Sequence, residues 1–121
     1  MAQPNGWYNY KGQREDVLVV TADYTVQPHL YECGNFSNRG AAGAVTVTLP
    51  EALPGREHTF HVETAQNFVV NPHGTDEIWD TAAVAFANDT VSNTVIGSSV
   101  TFECITTGFW NVRKHIGVWD N

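Results

Sequence analysis

Two histidines, His58 and His61, sit three apart in the run REHTFHVE at 56–63. That run alternates apolar and polar residues, which predicts a strand, and neighbouring side chains of a strand point to opposite faces. The pair therefore cannot share a metal without a bulge. Asp76, Glu77, Asp80 and Asp89 form a loose acidic group. Calcium needs about six to eight oxygens from a compact loop, and the spacing of an EF-hand is missing, so a solvated loop is expected. Glycoside hydrolysis needs two carboxylates at a separation fixed in space, which spacing along a chain does not supply. Cys33 and Cys104 lie in the β-like runs HLYEC and SVTFECI, with no CxxC and no nearby histidine pair. They read as reduced, inert core thiols, with a disulfide between them as the alternative. The chain has no GxSxG elbow, Walker loop, HExxH or GxGxxG, and Gly97-Ser98-Ser99 precedes a strand instead of a helix. No catalytic residue, metal ligand or cofactor site is expected, and the protein is read as a non-enzyme.

The aromatic residues carry more information. Of four tryptophans, Trp7 lies in the polar N-terminal segment with Tyr8 and Tyr10. Such a segment cannot build a core, and aromatics bury large area with few rotors to freeze, so these three are candidate docking residues. Trp79 stands beside the acidic group, where it could stack on a sugar face. Trp110 alternates with Val112 and reads as core. Trp119 is two residues from the end, either anchored into a neighbouring subunit or packed on its own domain.

The elements that must position these residues are short strands. The runs DVLVVTA (16–22), DYTV (23–26), HLYEC (29–33), AVTVTLP (44–50), REHTFHVE, TVSNTVIG (90–97), SSVTFECIT (98–106) and FWNVRKH (109–115) are strand-like. NFVVNPHGTDEI (67–78) reads as a strand, a Pro-Gly turn and the start of another strand. GNFSNRGAAG (34–43) reads as a loop, EALPG (51–55) as a turn, and Thr107-Gly108 as a tight hairpin. The Ala-rich stretch 79–90 is expected to be loop or extended, with one short helix as the alternative. This gives a polar arm at 1–16 and a single all-β domain at 17–121: a short-stranded antiparallel sandwich or barrel, or a β-prism-like domain.

Composition narrows the classes further. The 121 residues carry six cations against thirteen carboxylates, a net charge of −7, with 42% hydrophobic and 16% charged residues. That is too apolar for a disordered acidic tail and too acidic for a general nucleic-acid binder. No apolar run approaches the ~20 residues of a membrane helix. The N-terminus lacks the basic, apolar and small-residue parts of a signal peptide, so synthesis in the cytoplasm without secretion is expected.

An ordered set of strings carries a resemblance. It runs through Gly43–Pro50 (GAVTVTLP), Leu53-Pro54-Gly55, Asn67–Gly74 (NFVVNPHG), Asp76-Glu77-Ile78, Gly97–Cys104 (GSSVTFEC), Gly108–Val112 (GFWNV) and Gly117-Val118-Trp119. In that order, over residues 18–119, the set resembles a module of virion proteins of tailed bacteriophages, found in capsid decoration (cement) proteins and in tail-fibre or tailspike pieces. The chain departs from that pattern in the Ala-rich 79–90 insert. The resemblance implies an all-β homotrimer without cofactors. It implies a decoration protein seated on the outer capsid surface, with the major capsid protein as partner, Trp7, Tyr8 and Tyr10 docking on the shell or a neighbouring protomer, and Trp110 and Trp119 as candidate trimer contacts. No nucleic acid or membrane is implied as partner. The alternatives are a tail-fibre receptor- or glycan-binding module and a small carbohydrate-active enzyme.

Overall fold

The structure, a computed structural model, describes residues 17–27, 34–79 and 90–120, and the backbone of 85–87. The arm with Trp7, Tyr8 and Tyr10, the run HLYEC with Cys33, and the residues Asp80 and Asp89 lie outside the described residues.

Eleven strands follow in chain order: β1 (Val17–Val19), β2 (Tyr24–Thr25), β3 (Asn35–Ser37), β4 (Val45–Thr48), β5 (Glu57–His61), β6 (Phe68–Asn71), β7 (Glu77–Trp79), β8 (Ala85–Ala87), β9 (Val91–Asn93), β10 (Ser99–Cys104) and β11 (Phe109–Ile116). They form a seven-stranded sheet, β1-β3-β5-β10-β11-β7-β8, and a four-stranded sheet, β2-β4-β6-β9. There is no helix among the described residues, and neither sheet closes into a barrel.

The winding corrects the expectation of an antiparallel fold. Both sheets are mixed, and five of their nine pairings are parallel. The chain alternates between the sheets as it rises, so that β1, β3 and β5 stack in parallel on one side and β2, β4 and β6 on the other. Tyr24, Val47 and Val70 fall in register at intervals of 23 residues. Leu18, Phe36 and Phe60 do so at 18 and 24. This is the path of a short solenoid, in which each coil covers the one before. The β10–β11 hairpin and β9 then close the rising sheets with antiparallel pairings.

Alternation builds the core. In Val45–Thr48 and Phe68–Asn71 every second residue is buried, because inward and outward positions repeat with a period of two. Phe60 joins the two sheets. It stacks on Phe36 with centroids 5.0 Å apart and meets Phe68 and Phe102 edge-on, each at 5.8 Å.

One local reading is revised, and one is met over the residues described. Asn35–Ser37, read as loop for its Gly and Asn neighbours, is strand β3, because Phe36 must enter the core between Leu18 and Phe60. Within the Ala-rich stretch, 85–87 is extended and pairs with β7. The turns follow their sequence: Pro54-Gly55 closes with the Arg56 N–H donating to Leu53 O at 3.3 Å and Gly55 at φ 96°.

Candidate functional site

The sheet ends where β5 finishes and β10 begins carry a cluster of wet aliphatic side chains. Val95 and Ile96 occupy the β9–β10 turn, and Ile116 and Val118 the end of β11. Each is between 62% and 76% exposed. The backbone beneath them is firmly tied. Ser99 pairs with Ile116. The Val62 N–H donates to Ser98 O, and the Gly97 N–H to Val62 O, both at 2.9 Å. The buried Asn93 amide accepts from the Val95 N–H at 2.7 Å and donates to Val118 O at 2.8 Å. Gly117, at φ 86°, lies so close to Ser98 that a Cβ there would stand 2.4 Å from its hydroxyl. Two Ile-Gly steps, 96–97 and 116–117, thus bring four apolar side chains to one end of the domain and hold them there.

Beside this cluster a cleft of about 430 Å³ is lined by Val17, Ser37, His61, Glu63, Ile96 and Ser98, among others. It gathers a serine, a histidine and a carboxylate, but not in a nucleophilic order. Ser37 Oγ donates to the Glu63 carboxylate and accepts from the Arg39 N–H at 3.1 Å. His61 Nε2 faces Asn35 Oδ1 at 3.2 Å. The histidine is therefore engaged with Asn35 and the hydroxyl with Glu63, whereas acyl transfer requires a base on the hydroxyl.

His58 and His61 point to opposite faces, as strand geometry requires. His58 is buried with its ring 5.8 Å from Phe36 and 5.9 Å from Trp110, and His61 is half-buried on the outer face. Among the described residues no three His, Cys, Asp or Glu side chains gather to hold a metal. Asp76 is a loop pin, its carboxylate accepting from the Ala52 N–H at 2.8 Å. Cys104 is a free, buried thiol that donates to Thr106 O at 3.2 Å. Burial pushes its pKa up, so it is neutral at physiological pH and a poor nucleophile.

The structure separates the two C-terminal tryptophans. Trp110 is 0% exposed and lies wholly inside its own domain, so its ring offers no surface to another protomer. Trp119 is half-buried against the same core, with its indole N–H donating to Ser99 O at 3.0 Å. Among the described tryptophans Trp79 is the exposed one, at 41%. It rests on Phe109 with centroids 4.4 Å apart, and its N–H donates to Glu77 at 3.0 Å. Reading the residues one by one misses Asn93 and Phe109. The signal for the apolar end was the pair of Ile-Gly steps, each placing an isoleucine in front of a positive-φ glycine. No protein-family profile and no curated protein sequence matches this chain.

Proposed function

We propose that the chain is a structural, non-enzymatic domain of a tailed-bacteriophage particle, a capsid decoration protein that associates in threes and clamps the outer surface of the shell against the major capsid protein. The observation that carries the reading is the apolar end formed by Val95, Ile96, Ile116 and Val118. Four aliphatic side chains held in water by a stiff backbone form the kind of patch that association covers. A three-fold axis would bury each copy's patch against its neighbours, and three modest shell contacts made at once bind far more tightly than one. The ordered strings that resemble virion modules supply the particle. The aromatic arm, Trp7, Tyr8 and Tyr10, supplies further docking groups.

Native mass spectrometry and co-sedimentation with capsids stripped of the protein test this reading. The expected mass is about 40 kDa, three times the 13.3 kDa chain. Ile96→Glu and Val118→Glu alter exposed positions and leave the fold intact, so they are expected to give monomers that no longer sediment with capsids. Deleting residues 1–15 is expected to lower occupancy. A wild-type protein that stays monomeric in dilute solution and ignores capsids overturns the reading.

A further inference from the structure

We propose that the outer face of the seven-stranded sheet around Trp79 is a binding site for a neutral pyranose oligosaccharide. Cross-strand register places Trp79 beside Asn111, Asn111 beside Glu103, and Glu103 beside Glu57. All four point outward, since their strand neighbours Ile78, Trp110, Phe102 and His58 are buried. The row spans three strand spacings, ~14 Å, which is room for more than one sugar ring.

Its two ends differ chemically. At one end Trp79 and Phe109 make a continuous aromatic surface. The Glu77 carboxylate takes up the indole N–H and fixes the ring, so what remains exposed is an apolar face with its orientation set in advance. The rings touch at 4.4 Å, which leaves no gap between them for an ammonium group and makes the pair a platform instead of a cage. Along the rest of the row stand an amide and two carboxylates, Asn111, Glu103 and Glu57, with Glu57 held by Arg113 at 2.8 Å. This set is rich in acceptors. A pyranose has a flat C–H face that packs on an aromatic ring and a rim of hydroxyl donors that such acceptors bind. Arg113 neutralises Glu57, but Glu77 and Glu103 leave negative charge beside the platform, which disfavours acidic glycans. The site lies on strands, not on a mobile loop, so little ordering is needed when ligand arrives.

The site does not depend on the proposed place in a particle, and its test has a different readout. Titrate the full chain, ¹⁵N-labelled at tryptophan, with maltohexaose, cellohexaose, chitohexaose and mannohexaose, and with oligogalacturonate as the acidic control. The four indole N–H signals report separately. A neutral sugar is expected to move the Trp79 signal at millimolar concentration while those of Trp110 and Trp119 stay in place, and oligogalacturonate is expected to move none. Trp79→Ala is expected to weaken binding at least tenfold, Trp79→Phe to keep most of it, and Asn111→Ala to weaken it several-fold with an unchanged fold. Silence of the Trp79 signal with every neutral oligosaccharide, or binding that survives Trp79→Ala, overturns the proposal.

Discussion

Asn38 is the residue whose removal most directly tests the coiled path of the chain. It follows β3 at the corner of one coil and is fully buried. Its side chain reaches the corner of the next coil, between β5 and β6. There Oδ1 accepts from the Glu63 and Thr64 N–H groups at 2.8 and 3.1 Å, and Nδ2 donates to the carbonyls of Thr64 and Gln66 at 3.0 and 3.2 Å. Asn38→Ala deletes all four bonds and leaves four backbone groups to find other partners. Each bond is worth about 1 kcal/mol net, and more where water cannot replace it. Because the corner is partly open to water, the loss is placed at about 2–4 kcal/mol. A domain of this size loses roughly 4 °C of Tm per kcal/mol, so the melting temperature should fall by about 8–16 °C at fixed protein concentration. Amide exchange at Glu63 and Thr64 should accelerate as the corner loosens. Gln27→Ala, which loses one exposed bond to Thr25 O, is the control and should shift Tm by less than about 2 °C. A fall of under about 4 °C for Asn38→Ala, with Glu63 and Thr64 still protected, would refute the claim that this asparagine joins successive coils.

Two further outcomes follow from the same geometry. Gly97 and Gly117 both have positive φ, but a Cβ meets nothing within 4 Å at Gly97 and strikes Ser98 at Gly117. Urea unfolding should therefore show Gly97→Ala losing about 1 kcal/mol from backbone strain alone, and Gly117→Ala losing about 1–3 kcal/mol more; equal losses would mean that the Gly117–Ser98 approach is not a constraint. In a Cys33→Ser variant the Cys104 thiol, kept neutral by burial, should react with a disulfide reagent only as the protein unfolds, and prompt labelling of the native state at pH 7 would contradict its place in the core.

The sequence was readable where one face of a strand is buried and the other wet. Val45–Thr48 and Glu57–His61 announced themselves by alternation, and the Pro54-Gly55 turn by its residues. What alternation cannot carry is the partner of a strand. The parallel stacking of β2, β4 and β6 depends on intervals of 23 residues, but β1, β3 and β5 repeat at 18 and 24, so no constant period stands out. Strand β3 was hidden because three residues around one phenylalanine give no pattern, and its Gly and Asn neighbours argue for a turn. At the candidate sites the chemistry was visible only in part. Trp79 was marked by its type and acidic neighbours, but Phe109 and Asn111 join it through a parallel pairing of β11 with β7 that is about 30 residues distant in sequence.

The same winding bears on the association proposed above. Among the described residues the stack ends in edge strands that differ at its two ends: β1 and β2 at one, β8 and β9 at the other. Copies joining end to end through unlike edges make a heterologous contact, which runs on into a filament unless its rotation closes a ring. The fold restrains that route. β2 has two residues and β9 has three, against six in β10 and eight in β11, and a short edge offers few backbone groups to a newcomer. β9 is further occupied by Asp120, whose backbone exchanges two hydrogen bonds with Ser92 at 2.8 and 3.0 Å. Four of the exposed aliphatic residues, Val95, Ile96, Ile116 and Val118, instead lie at the turns tied by Asn93 and Ser98. Burial there joins side chains instead of backbone edges, so it can close around a symmetry axis without extending either sheet.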